Sequence, residues 1–307
     1  MNWFYENREL HSLKLEALYE LIQISRSGFY KYRAAKLLVT QKGNDVLKRV
    51  KELREEHPRM GARPLYIMMM NNADDEALLS KTGSNKFEEL LLSHGMRVRK
   101  IRNFRRTTFS SGFYFDNLIL DLIIKELDHV WVSDITYFYC PQIHNFFYLT
   151  SIIDVYSRRC LAITWSKTLQ TEQTSLPALK IALKSRKRKK YEKLIFHSDG
   201  GGQYYDKEFV KLLRAYNITS SMGKCAYENP FAEKFNDILK NYYLIPWKTE
   251  GKSLPKAIKR FMVNYNSQKP HQNLGNLTPI AFEQHIQNLP LSQRTELLLK
   301  NPEKNKN

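Results

Sequence analysis

Apolar positions in the first hundred residues recur at helical spacing. Leu13, Leu15, Leu18, Leu21 and Ile22 predict a first helix. Ser25 is placed to cap a short segment bearing Phe29, Tyr30 and Tyr32. Val46, Leu47, Val50 and Leu53 predict a third helix, and Gly61 interrupts the chain after it. Pro64 suits the first turn of a helix carrying Leu65 and Met68. Ser84 is a candidate cap for another, with Phe87, Leu90 and Leu91 inward and Gly95 as its stop. Short helices joined by tight turns predict an N-terminal helical segment (1–44) and then a helix-turn-helix-like unit with a basic arm (45–106).

From residue 130 the texture changes. VWVSDITYFY, FFYLTSIIDV and CLAITW are rich in β-branched and aromatic residues. They predict three successive antiparallel strands with the middle one well buried. A helix over 171–185 should carry Leu176, Leu179, Ile181 and Leu183, and LIFHSD should be a fourth strand ending at Asp199. Helices over 206–216 and 230–244 complete the layer. This is the element order of an α/β, ribonuclease H-like core, here spanning 125–285 with a C-terminal tail over 286–307.

Composition adds a partner. Lys and Arg number 49 against 31 Asp and Glu, a net charge of +18. Such self-repulsion is offset by an acidic partner, and nucleic acid fits better than an acidic membrane surface. In RVRKIRNFRR, Arg97, Arg99, Lys100, Arg102, Arg105 and Arg106 carry positive charge with no acid among them. After a helix-turn-helix-like unit this run is expected to touch phosphate rather than only water. KSRKRKKYEK, residues 184–193, reads equally as a solvated loop or a DNA-facing one. Cys140, Cys160 and Cys225 lie far apart, which supports neither a disulfide framework nor a zinc site and suits a reducing compartment. The chain lacks both a signal-peptide core at its start and a run of about 18 apolar residues, so a cytoplasmic protein without a membrane span is expected.

Three acids carry the candidate chemistry. Asp134 lies mid-strand between Val132 and Thr136, where an acid is costly unless it is paired, metal-bound or at a sheet edge facing water. Asp199 closes its strand before Gly200, Gly201 and Gly202. Ligands gather at strand carboxyl ends, and three glycines leave room for a nucleic-acid backbone, although an ordinary Asp-Gly turn has the same sequence. Asn229 and Pro230 open a helix whose apolar face is Phe231, Phe235, Ile238 and Tyr242. Glu233 then points about 200° from Phe231, and Lys240 shares its face. That pair reads as solvated surface or as metal and phosphate ligands. Glu228 precedes the helix and is expected on a loop that frays, and His197 is read as structural. One core bearing all three acids on two strands and a helix supports a common account: carboxylates holding Mg²⁺, with two ions about 4 Å apart assisting an in-line displacement.

At these residues the chain resembles the insertion-sequence three family of bacterial transposases, relatives of retroviral integrases. The resemblance runs through ISRSGFYKYR, HPRMGARPLY, VWVSDITYF, IIDVYSRRCLAITW, HSDGGGQY, ENPFAEKFNDILKNYYL and NYNSQKPHQNLGNLTPIAF, in that order. It implies that Asp134, Asp199 and Glu233 form the family's acidic triad and that Lys240 lies near DNA. It also implies a retroviral-integrase-like catalytic core, strand transfer by a 3′-hydroxyl, and a homo-oligomer holding two element ends and a target on double-stranded DNA. An upstream reading-frame protein is implied as a further partner. Three departures are visible. Asp199 and Glu233 are separated by 33 residues, slightly fewer than in the family pattern, Gly200 stands where the family has Arg, and MNNADDEALLSKTG is atypical. They leave a second reading open, a copy that binds element ends or inhibits transposition without catalysis.

Overall fold

The computed structural model describes residues 6–10, 14–21, 23–80, 82–98, 115–223 and 228–301. They divide into two compact units, Met1–Leu53 with Met69–Arg97, and Arg54–Met68 with Val98–Asn307. Arg99, Lys100, Arg102, Arg105 and Arg106 of the basic arm lie outside the described residues, and Arg97 lies just within them.

The N-terminal elements are helices: α1 (Leu15–Leu21), α2 (Arg26–Glu56), α3 (Ala62–Met70), α4 (Ala73–Leu78) and α5 (Ser84–Ser93). Ser25 does cap, its Oγ accepting the Gly28 N–H at 3.0 Å. The helix it opens runs 31 residues without a break and so joins two expected helices across residues 44 and 45. Ala, Leu, Lys and Gln dominate the joining stretch, and one glycine, Gly43, costs only about 1 kcal/mol, too little to stop it. Val46, Leu47 and Val50 are buried as expected. In α1 Tyr19 is buried against Phe29, ring centroids 5.6 Å apart, while Leu21 is 78% exposed. Leu13 and Ile22 lie outside the described residues. In α3 Leu65 and Met69 are buried, and Met68 only partly. Helix α4 was not anticipated: Asn72 caps it, and its Asp75 is buried and held by Arg49 through bonds of 2.6 and 3.1 Å. Gly83, not Ser84, occupies the N-cap of α5. Gly95 ends that helix at φ +68°, with the Met96 N–H reaching back to the Leu91 carbonyl at 2.8 Å.

The second unit is built on a five-stranded sheet in the order β4-β3-β2-β5-β6. Its strands are β2 (Val130–Cys140), β3 (Asn145–Asp154), β4 (Cys160–Ser166), β5 (Ile195–Ser198) and β6 (Thr219–Met222); β1 (Leu122–Ile124) is separate. β2, β3 and β4 form the expected antiparallel meander, while β5 and β6 run parallel to β2. β6, TSSM, was missed because it has almost no apolar signal; pairing with β5 makes it a strand. β7 (Leu297–Leu299) pairs with β1, so part of the expected tail is an ordered strand.

Strand alternation gives the sheet two apolar faces. Trp131, Ile152 and Ala162 pack under α6 (Ser175–Arg186) and α7 (Lys207–Ala215) through Leu179, Leu183, Phe209 and Leu213. Ile181 is 44% exposed, contrary to expectation, because α6 buries the stripe Ala178, Leu179, Ala182 and Leu183 instead. Val130, Val132, Phe138 and Leu149 pack on the other face against α8 (Pro230–Asp237), a π-helical turn (Ile238–Leu244) and α9 (Leu254–Val263). The expected apolar face of the 230–244 helix is corrected here. Ala232, Phe235, Leu239 and Tyr243 are buried, while Phe231, Ile238 and Tyr242 are partly exposed. The buried positions still recur at i, i+3, i+7 and i+11, so the stripe keeps the helical period and is turned by less than a right angle from the expected one. His57 anchors the 54–68 stretch in this unit, bonding Tyr243 Oη at 2.8 Å and Gln268 Oε1 at 3.0 Å.

The basic loop over 184–190 also needs correction. Lys187, Arg188, Lys189 and Lys190 are exposed, but the side chain of Arg186 is only 9% exposed. It donates to both carboxylate oxygens of Glu283, at 2.9 and 2.7 Å, from within α10 (Pro279–Gln287). Its Nε lies 2.7 Å from Asp128 Oδ1, off the hydrogen-bond direction, and Asp154 is 3.7 Å away. No helix among the described residues is long and apolar enough to cross a membrane.

Candidate active site

The pleat of β2 decides where Asp134 points. It alternates with Ser133 and Ile135, so it shares the face of Val132 and Thr136, beneath α8. Asn236, three residues beyond Glu233 on α8, donates from Nδ2 to Asp134 Oδ2 at 2.8 Å. Ser151, the β3 partner of Asp134, donates to Asn236 Oδ1 at 3.0 Å. Asn229 ties the start of α8 to the same strand, donating to the Ser133 carbonyl at 2.9 Å. This chain of amides fixes the aspartate against the helix that carries the glutamate. Sequence reading missed Asn236; its signal was an amide at i+3 from Glu233, one turn along the helix.

Asp199 follows the last residue of β5, at the carboxyl end of the strand beside β2. The Gly201 N–H donates to its Oδ1 at 3.2 Å. The three glycines differ in role. Gly200 is buried, so it does not open an approach as expected. A Cβ at Gly201 would lie 3.1 Å from Asp199 Oδ1 and 2.8 Å from Gln203 Oε1, so Gly201 keeps space beside the carboxylate. Gly202 is exposed and lies against the Tyr205 hydroxyl.

Electrostatics link these groups. Burial, the Asp199 charge and, more weakly, Glu233 push the Asp134 carboxyl up to about 7, against the Asn236 hydrogen bond. Burial also raises Asp199, opposed by backbone N–H groups, and raises Glu233. Lys240 is lowered by burial, while the charges of Asp134 and Asp237 act the other way. Asp134 therefore lies within electrostatic reach of Asp199, Glu233 and Lys240. Like charges that repel one another favour either a shared proton or a cation. Oxygen donors suit a hard divalent ion. Glu233 is exposed, and no cluster of three His, Cys, Asp or Glu side chains among the described residues is close enough to hold a metal as placed.

Glu228 departs from the frayed loop expected for it. It is only 6% exposed, and Asn117 donates to its Oε2 at 2.5 Å. A Cβ at Gly223 would lie 3.1 Å from Glu228 Cβ and 3.2 Å from His197 Nε2, so that glycine makes room for both. His197 is fully buried, bonds Ser221 Oγ at 3.0 Å through Nδ1, and is pushed down to about 4 by burial. A neutral imidazole bridging two parallel strands has the structural role expected of it.

An integrase core domain family matches residues 125–227, and a second integrase core domain family matches residues 217–279. Asp134 and Asp199 fall in the first stretch, Glu233 and Lys240 in the second. The uncharacterized 31 kDa protein of insertion element IS600 from Shigella sonnei is 27% identical over 277 residues, 86% of this chain and 97% of that protein. Transposase InsF for insertion sequence IS3A of Escherichia coli (strain K12) is 28% identical over 200 residues, 63% of this chain and 68% of the relative. Together the two integrase core domain matches span residues 125–279, and the chain is similar to transposases of insertion sequences. The chain has the integrase core that both models describe, built on a mixed sheet with helices on both faces, and a helical N-terminal region. Among solved structures it is similar to the HTLV-2 integrase catalytic core domain in complex with magnesium, at 19% identity over 50% of this chain and 93% of that one, with a TM-score of 0.40.

Proposed function

We propose that this transposase cleaves DNA at the ends of an insertion sequence and joins them to a target, in a divalent-metal-dependent reaction at Asp134, Asp199 and Glu233. One observation carries the reading: Asp134 sits in the sheet beneath α8, its carboxyl raised by burial and by the charge of Asp199. Two acids held in mutual repulsion, with a third across from them, form a site that gains most from a bound cation. Those three carboxylates would hold Mg²⁺ or Mn²⁺, one ion or two, which would supply activation of the attacking oxygen and stabilisation of the leaving one. Asn236 holds Asp134 at a fixed rotamer, and the Gly201 N–H holds Asp199. Lys240 supplies a positive charge for a substrate phosphate on the same side of α8. The partner is double-stranded DNA, element ends and target, bound by a homo-oligomer with or without an upstream reading-frame protein. The cytoplasm of a bacterium, at the nucleoid, is the matching location. The helix-turn-helix-like region over 45–106, with Arg97, Arg99, Lys100, Arg102, Arg105 and Arg106, serves as the DNA-binding part, with the core over 125–285. The presence of all three acids favours the catalytic reading over the catalytically decayed one. The test is cleavage of linear DNA bearing the element ends, with Mg²⁺, by Asp199→Asn protein of unchanged thermal stability. Loss of cleavage is expected, and retained cleavage overturns the assignment.

A further inference from the structure

Beside the glycine turn lies a groove that the chemistry above does not use. It has a volume of about 400 Å³ and is lined by Phe115, Tyr205, Lys207, Val210, Lys211 and Arg214. That volume falls within the range of small-ligand clefts, about 300–1,000 Å³. Its cations come from α7. Phe209 and Leu213 bury one face of that helix in the core. Lys207, Lys211 and Arg214 follow one another at i, i+4 and i+7, so they share the opposite face over ~10 Å of helix axis. All three are exposed. Glu208 lies 3.8 Å from Lys211, but both side chains are exposed and a pair of that kind ties up little charge.

Two of the lining residues are aromatic. Tyr205 ends the turn that starts at Asp199, and its hydroxyl would lie 3.2 Å from a Cβ on Gly202. Phe115 is held from the sheet side: the carbonyl of its neighbour Asp116 accepts the Met222 N–H at 3.2 Å, and the Leu118 N–H donates to Ser221 Oγ at 2.9 Å. Two rings and three cations lining one groove combine the two elements that bind single-stranded nucleic acid: stacking for a base and positive charge for the backbone. An aliphatic or peptide ligand would use neither the ring faces nor so many cations.

We propose that this groove receives an unpaired nucleotide of the DNA on which the transposase acts, its base against Phe115 and Tyr205 and the flanking phosphates on Lys207, Lys211 and Arg214. The proposal rests on the DNA-transposition reading, and it adds a preference for DNA with a splayed or single-stranded end near the acidic site. The test measures binding of the full chain, in EDTA, to a blunt duplex and to the same duplex with a three-nucleotide overhang. The native chain should favour the overhang. Phe115→Leu with Tyr205→Leu, which keeps apolar bulk but removes the rings, should abolish that preference, a loss of about tenfold or more, and leave blunt-duplex affinity in place. Lys207→Ala with Lys211→Ala and Arg214→Ala should flatten the log–log salt dependence by up to about 3 for both DNAs. Single ring variants, Phe115→Leu or Tyr205→Leu alone, should each lose part of the preference if the double variant fails to fold. A native chain that binds both DNAs equally, or ring variants that keep the preference, would overturn the groove while leaving the transposase reading intact. A native chain that binds neither DNA would overturn both. Displacement of the overhang by polyglutamate of matched charge as readily as by single-stranded DNA would show a mere anion site and count against the proposal.

Discussion

Replacing Arg186 with Met tests whether the charge cluster under α10 is a structural element or part of a DNA-facing loop. Arg186 reaches both oxygens of Glu283 at 2.9 and 2.7 Å, lies 2.7 Å from Asp128, and stands 3.7 Å from Asp154. Asp154 is fully buried, and Asp128 and Glu283 nearly so. Burial pushes Asp154 up to about 6, the Arg186 charge opposing that rise and Asp128 adding to it. Glu283 is held below the usual carboxylate range: burial works against it, and hydrogen bonds and charges from Arg186 and Arg159 outweigh burial. Methionine would fill most of the volume but leave three buried carboxylates with only Arg159, and partly Arg188, to answer them. Removing one partner of a buried ion pair costs about 3–5 kcal/mol. At 2–4 °C per kcal/mol for a unit of this size, the melting temperature should fall by about 6–20 °C at pH 7.5. The cost should shrink at pH 5, because the stranded carboxylates can then take up protons instead of remaining charged. Thermal melts of wild type and Arg186→Met at both pH values supply the assay. Since Arg186 is buried, the salt dependence of DNA binding should not change. A loss below about 1 kcal/mol, a cost equal at both pH values, or a flatter salt slope would each refute the reasoning.

Four further outcomes are expected. Glu233→Gln should abolish Mg²⁺-dependent strand transfer, whereas Glu228→Gln should lower it only modestly and cost about 1 kcal/mol of stability, because a glutamine oxygen can still accept from Asn117; strand-transfer assays giving the reverse order would reassign the third ligand. Gly201→Ala should cut cleavage about 10–100-fold by crowding Asp199, with Gly202→Ala milder, as read from initial rates. Arg102→Ala with Arg105→Ala and Arg106→Ala should flatten the salt slope of duplex binding by up to about 3, and an unchanged slope would show that the arm does not touch DNA. His57 is lowered from 6.5 by burial. Its unfolded form therefore takes the proton first, and its stability contribution is present above pH 6.5 and lost as pH falls below it. Chemical denaturation should show the wild type losing more stability than His57→Gln as the pH falls below 6.5, by at most about 1.4 kcal/mol per pH unit.

Strand texture and helix starts were legible because they are local. The β2–β4 meander, the Ser25 cap, the Gly95 stop and the three acids each follow from backbone preference or residue type within a few positions. Candidate ligands could be named for the same reason: Asp134 conflicts with its own strand, and Asp199 stands at a strand end. Tertiary structure decided what depends on partners distant in sequence. β6 has no apolar signal of its own and becomes a strand only by pairing with β5. The helix after Asn229 buries Ala232, Leu239 and Tyr243 more fully than Phe231, Ile238 and Tyr242, a choice between two stripes that both fit a 3.6-residue period and that packing on the sheet decides. Arg186 belongs to a run of solvated charges by sequence, yet three carboxylates from other segments draw it inside. Asn117, the amide that holds Glu228, carries no mark of that role in sequence, and the i+3 spacing of Asn236 from Glu233 does not say that Asp134 is its acceptor until the sheet brings the two together. Side chains that satisfy buried charge are selected by geometry across the fold, and geometry across the fold has no local period to read.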